Sequence, residues 1–471
     1  MKSWLSHRVR FMIISLGIIT ALPSSGSSFY KYKTMHGDLF ASDTSLKSGP
    51  TFATAKADYK HLSAACPTVL ATANQMVFAI CTKLFRRQPV IYLFDQNSLK
   101  PLADLEFSGG SLLGNIYGFL NDENHLVVMD GDYKILYIEA RNTNGNWQLL
   151  ITTQFDLAPD INNFCQDIEC GAIASVNPSS DGKIWFASER SLVGYLDPVS
   201  QEVSMLQIAD DETIANSISS SRNGKVAVVT NKALYVLSRR ENSSVQIDWS
   251  ETYQRGDGIK PGQLSYGSGA TPTFFGPENE EFVMITDNDS PRMSLLVFRA
   301  EPHGKRHPLV CKLRLFHEGN SGTENSAIGF DRNIVVSSTY GYQYPVDSNQ
   351  KQLHKNQGAY FLGGMARVDI AEDNRGCHLV WNNEIASAAV PKLSLADGLI
   401  YTTVLHQSSI SPFKIFNRYD FAAIDFETGA LMKRKRVKSG IFGNTLQMAG
   451  DFVDNGTFFQ GTLGGIVRIG K

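Results

Sequence analysis

Long helical runs are missing from this 471-residue chain, which nowhere sets Ala, Leu, Glu and Lys at helical spacing over many turns. That excludes a helical bundle. Plentiful Gly (39) and Phe (27) favour many short strands joined by tight turns. An excess of one charge is missing too. The 44 basic and 46 acidic side chains nearly cancel, so nucleic acid and anionic lipid are poor expectations as partners. Beyond the N-terminus no segment approaches about 18 consecutive apolar residues, which excludes a later membrane-spanning helix. There is no C-x-x-C, which weakens zinc and redox readings, and no C-x-x-C-H, which excludes covalent c-type haem by its usual motif. There is no G-x-S-x-G, and the ten histidines are scattered.

The first 28 residues stand apart from the rest. Lys2, Arg8 and Arg10 precede the apolar stretch "FMIISLGIITAL", and "PSSGSS" follows. This is the layout of a secretory signal peptide, with cleavage expected after Ser27 and a mature domain over residues 29–471. The competing expectation is an uncleaved N-terminal anchor. The mature chain carries six cysteines, an even number that suits disulfides in an oxidising compartment. Cys311 with Cys377 would tie neighbouring outer strands, Cys165 with Cys170 would close a local loop, and Cys66 with Cys81 would lie within the first strand group.

One pattern recurs along the mature chain: turn, strand, turn, strand, turn. It is seen in "NHLVVMDGDYKILYIEA" (124–140), "DGKIWFASERSLVGYLDPVSQEV" (181–203), "NGKVAVVTNKALYVLSR" (223–239) and "FAAIDFETGALMKRKRV" (421–437). Spacings of about 40 to 60 residues match propeller blades. The spacing predicts an all-β single domain, a β-propeller with inner strands beginning near 62, 115, 171, 216, 270, 325, 391 and 445. Eight blades are expected, with seven as the alternative. The last blade is short, so residues between 35 and 58 are expected to supply its outer strand and close the ring. A pair of all-β sandwiches is the competing architecture.

"YDFAAIDFETGALMKRKR" resembles the repeat of quinoprotein-type propellers, in which a strand ends in Asp-x-x-Thr-Gly. The stretch from about 115 to 470 resembles a family of exported bacterial propellers of unassigned activity, through "DGKIWF", "IANSIS", "KPGQLSYGSGATPT", "ITDNDSP", "GTENSAIG", "STYGY", "VPKLSLADGLIY" and "LGGIVRI". The resemblance implies the fold and a bacterial periplasmic or secreted location, and it raises PQQ. In PQQ enzymes of that superfamily an adjacent Cys–Cys disulfide packs on the cofactor and tryptophans staple the blades. This chain has no such pair and four mature tryptophans, Trp147, Trp185, Trp249 and Trp381, so PQQ is not expected.

Polar side chains recur where each inner strand should begin: Asn115, Asn216, Thr271, Glu324-Asn325-Ser326, Lys392 and Asn444. Asp287-Asn288 follows a second strand and should emerge on the same face. Asp287, Asn288, Glu324 and Asn325 together have the oxygen donors a Ca²⁺ ion takes. Asn216, Thr271, Lys392 and Asn444 are expected to bind ligand on the same rim. Capping of strand starts by short polar side chains is the plain alternative. An ion pair between Lys392 and Glu324 would replace the metal. The run "KRKRVK" (433–438) reads as protection of an outer edge. The functional expectation is an exported propeller that binds a small polar ligand at its channel mouth, with Ca²⁺-assisted hydrolysis or elimination as its catalytic form. The alternatives are a non-catalytic interaction propeller holding an envelope protein, and a PQQ-like oxidoreductase.

Overall fold

Strand pairing in the computed structural model, which describes residues 31–107, 116–277, 281–302, 307–344, 359–408 and 416–471, gives eight sheets, antiparallel apart from one two-residue parallel pairing in the seventh. The expected signal peptide and Asn115 fall outside the described residues. Each sheet is a meander read from the centre outward. Blade 1 runs from Ala64–Ala71 to Pro101–Glu106, blade 2 from Phe119–Leu120 to Asn146–Asp156, and blade 3 from Ile173–Pro178 to Val203–Gln207. Blade 4 runs from Ser219–Ser220 to Val245–Thr252, blade 5 from Thr273–Phe275 to Leu309–Arg314, and blade 6 from Ile328–Phe330 to Cys377–Asn383. Blade 7 runs from Lys392–Ser394 to Leu431–Ser439. Blade 8 takes Asp451–Phe452, Phe458–Thr462 and Gly465–Gly470 from the end of the chain. Its outer strand is Lys56–His61, paired antiparallel from Lys56 opposite Gly470 to His61 opposite Gly465. Closure by an N-terminal strand is thus as expected, but with residues 56–61 rather than most of 35–58.

Alternation along the strands explains the assembly. Central strands bury both faces, so they read as continuous apolar runs such as "IWFAS" and "LVGYL". Each sheet then packs its two faces against two neighbours. Phe421 and Ala423 of blade 7 meet Phe452, Phe458 and Val467 of blade 8, while Ile424 of blade 7 turns to Ile328 and Val335 of blade 6. The ring closes where Phe459 and Ile466 of blade 8 pack on Ala64, Val77 and Phe94 of blade 1. The Asp-x-x-Thr-Gly turn has a local cause. Asp425 Oδ1 accepts from the Thr428 backbone N–H at 2.8 Å and from its hydroxyl at 2.7 Å. Gly429 follows at φ +71°, where an added Cβ would lie 2.5 Å from Trp381 of blade 6. Trp381 in turn donates its indole N–H to Phe426 O at 3.0 Å, and Trp249 of blade 4 does the same to Ala300 O of blade 5 at 3.0 Å.

All three expected disulfides are present: Cys66–Cys81 within blade 1, Cys165–Cys170 in the blade 2 to blade 3 connection, and Cys311–Cys377 between the outer strands of blades 5 and 6. Among the described residues no helix is long and apolar enough to cross a membrane.

Candidate functional site

The inner strand of a propeller blade has one unpaired edge, and those edges line the axial channel. Here residues 33–45 pair with those of blades 2, 4, 5, 6 and 7. Lys33 and Thr34 pair with Leu120 and Phe119 of blade 2. The carbonyls of Leu39, Phe40, Ser42 and Asp43 then accept from the N–H groups of Ser220, Phe274, Gly329 and Leu393, in blades 4, 5, 6 and 7. Thr44 and Ser45 finish as a short parallel strand beside Leu393 and Ser394. Gly37, Ala41 and Asp43 adopt positive φ, which lets the segment turn inside the channel. Orphan edge groups inside the ring are thereby paired.

This plug carries its own polar core. Asp38 accepts from the N–H groups of Phe40 and Ser42 and from the Ser42 hydroxyl, and burial raises its carboxyl above the ordinary range against those bonds. His36 Nδ1 lies 3.1 Å from both carboxylate oxygens of Asp43, and Ser326 Oγ lies 3.1 Å from the same nitrogen. In a hydrolytic triad the acid and the nucleophile use opposite ring nitrogens. Here both sit on Nδ1, and Nε2 faces Thr271 Oγ1 at 3.4 Å. The group locks the plug to blades 5 and 6.

Of the residues singled out at the strand starts, Thr271 and Ser326 meet the plug, and the others have partners of their own. Asn216 accepts from Tyr117 at 3.0 Å, and Asn444 accepts from Tyr342 at 2.6 Å. Asn325 donates to Ser337 and Gln447. Asn288, at φ +54°, donates to Gly267 O, Ser268 O and Thr323 O and accepts from Thr323 N. It fastens two blade-to-blade crossings together. Glu324 reaches the first of these crossings and accepts from Leu264 N at 2.6 Å and Ser265 N at 2.9 Å. Burial pushes its carboxyl up to about 7, against those bonds. Asp287 turns away from the axis, with Lys312 of the outer strand 2.9 Å from its Oδ2 and Ser294 N 2.7 Å from its Oδ1. Asn288 and Glu324 therefore meet on one loop, and Asp287 does not join them. A cation held by all four would have to displace Lys312 and the amides of residues 264 and 265. Among the described residues no three His, Cys, Asp or Glu side chains are grouped to hold a metal ion.

Lys392 behaves differently. It begins the inner strand of blade 7 but sends its ammonium along the plug to Met35 O at 2.7 Å and Gly450 O at 2.8 Å. It thereby lines a cleft of about 410 Å³ where the inner strands of blades 1, 2 and 8 end. Lys31, Lys33 and Lys47 stand around the same cleft, as do Asp38, Asp122 and Asp451. Lys31 pairs with Asp122 at 3.0 Å, Lys33 with Asp451 at 2.6 Å and Lys47 with Asp454 at 2.9 Å. Among the described residues no carboxylate lies within ion-pair distance of Lys392, although the side chain is 1% exposed. Burial lowers the Lys33 ammonium below its ordinary value; Asp451 opposes that shift, and Lys392 adds to it. Asp451 is thus the ion-pair partner of Lys33, while Lys47 and Lys392 act on Lys33 as nearby like charges. Nothing in "KYKTMHGDLFASDTS" marks this end of the channel, because the stretch has no alternation and no motif.

Together, the fold and the cleft define an eight-bladed β-propeller with a channel plugged by its own N-terminal segment. No family model matches the chain. It is 23% identical over 404 residues to an uncharacterized protein of Archaeoglobus fulgidus, covering 78% of this chain and 75% of that one. Similar solved structures include Sqt1 of Chaetomium thermophilum bound to the N-terminus of ribosomal protein L10 (TM-score 0.48, 12% identity, 84% of this chain and 93% of that). Another is virginiamycin B lyase of Staphylococcus aureus (TM-score 0.40, 10% identity, 88% and 99%). A third is the Cps50 (Swd1) propeller domain of Myceliophteria thermophila (TM-score 0.43, 8% identity, 90% and 98%). The likeness is one of fold, and activity is argued from the site alone.

Proposed function

We propose that this protein is an exported binding propeller that holds a small anionic ligand, carboxylate-bearing for preference, in the cleft over the plugged end of its channel. The observation that carries the reading is the buried Lys392 ammonium. It has two carbonyl acceptors and no carboxylate, and it stands near a second lysine, Lys33, whose ion-pair partner is Asp451. An anion there would relieve the like-charge contact in a place where water screens poorly. The cleft's volume falls in the range of small-molecule sites, and Leu46, Leu120 and Phe452 give it apolar wall. Its described lining has no histidine or cysteine, and its acids are held by Lys31, by Lys33 or by the plug's own N–H and hydroxyl groups, so binding is favoured over turnover. Export rests on the leader-like first 28 residues and on three disulfides with no free cysteine among the described residues. A bacterial periplasmic or secreted location follows from the family resemblance. Thermal-shift measurements with carboxylates, sulfate, neutral sugars and amines test the reading. Saturable stabilisation by anions only is expected, absent in Lys392→Met; a response to sugars or amines but not to anions would overturn it.

A further inference from the structure

We propose that the outer edge of blade 7 is a docking strand for an acidic, extended segment of a partner protein. The strand Leu431–Ser439 reads "LMKRKRVKS", with five basic residues and no acid in nine positions. The other seven outer strands hold at most two Lys or Arg each. Protecting a sheet edge therefore does not require this run, because seven edges of the same ring do without it. The chain as a whole is near neutral, at −2, so the run is a local feature and not a general basicity.

The arrangement is linear and two-sided. Arg434 and Arg436 lie opposite Ala422 and Asp420, while Lys433 and Lys435 lie opposite Ala423 and Phe421. Same-side charges on a strand repeat at about 6.8 Å, the spacing of side chains on a facing strand. The neighbouring outer strand of blade 8 adds Lys56 and Lys60, and Lys438 sits 4.1 Å over the ring of Tyr59 between them. The acids nearby are taken: Asp420 by Arg418 and His406, and Asp58 by Arg468. Among the described residues no carboxylate is within ion-pair distance of Lys433, Arg434, Lys435 or Arg436. Blade 7 ends at this strand in the sheet order, so one row of backbone donors and acceptors faces outward. Leu431 (44% exposed) and Met432 (51%) stand at its start as apolar contacts. Backbone pairing plus opposite charges on alternate residues is how an added strand is recognised. A second copy of the same edge is repelled by its like charges.

The test uses the mature full-length protein and a fluorescent peptide of alternating Val and Glu, followed by anisotropy. Binding is expected at about 50 mM salt and should weaken several-fold at about 200 mM, where screening is stronger. Arg434→Glu with Arg436→Glu should weaken it by about tenfold or more, with an unchanged circular dichroism spectrum. N-methylation of alternate peptide amides should abolish it. No binding at low salt, equal binding by the double variant, or equal binding of the N-methylated peptide would overturn the proposal. Tighter capture of a sulfated polysaccharide or of anionic vesicles would also overturn it, by giving the edge to another class of partner.

Discussion

At the residue scale, Glu324 shows how one side chain can be placed from sequence without its role being legible. Its position at the start of an inner strand follows from repeat spacing. Its bonding to Leu264 and Ser265 depends on a loop some sixty residues earlier, about which local pattern says nothing. Because burial raises the carboxyl to about 7, the folded state binds more protons than the unfolded state between the ordinary glutamate value and about 7. The stability this group contributes is therefore full in acid and is lost as pH rises through about 7. Glu281, also raised to about 7 by burial, acts in the same direction. Urea denaturation of wild type and Glu324→Gln at about pH 5 and about pH 8 checks this. The variant should lose part of the wild-type decline between the two values; an identical or steeper decline would contradict the assignment. Asp287 illustrates the opposite limit. Its place after "FVMIT" is visible in the sequence, but the pairing with Lys312 depends on which way the turn faces.

At the element scale, the alternation of the strands, the turn residues and the cysteines were legible, and inner-strand starts fall within about six residues of the expected points. Each blade is a local meander, so its pairing is fixed by nearby turns. The plug was not legible. Residues 33–45 have no alternating pattern because their partners are backbone edges spread over five blades. Replacing Asp43 with Ala should detach it from His36 and Ser326. Amide exchange at Ser220, Phe274, Gly329 and Leu393 should then quicken while exchange in the second strands stays slow; unchanged protection at those four amides would show that the plug does not cover them. The disulfides differ in reach. Cys311–Cys377 closes a 66-residue separation and Cys165–Cys170 one of 5. By loop entropy, removing the first by Ser substitution should cost about 4 kcal/mol and the second about 2 kcal/mol. Denaturant titration of the two double variants reads the order, and equal losses would argue against blade tethering.

At the scale of the whole molecule, the chain's two ends meet twice. Lys56–His61 completes the sheet of the last blade, and Lys33 reaches Asp451 beside the cleft. Ring closure and site assembly thus depend on the same N-terminal stretch. Disrupting the closing pair with Tyr59→Pro should lower the unfolding temperature and remove ligand-induced stabilisation together, whereas a loss of binding at full stability would separate the two. Which face of the ring would carry the site was hidden in the sequence. Lys392 stands among residues of one rim, and only the path of its side chain along the plug brings it to the other. The central claim is that this ammonium awaits an anion. Titration calorimetry of the mature protein with succinate and citrate tests it most directly, with Lys392→Met of unchanged circular dichroism as the comparison. The account predicts one saturable site per chain in the wild type and none in the variant; no saturable heat with either anion, or the same heat in both proteins, would contradict it.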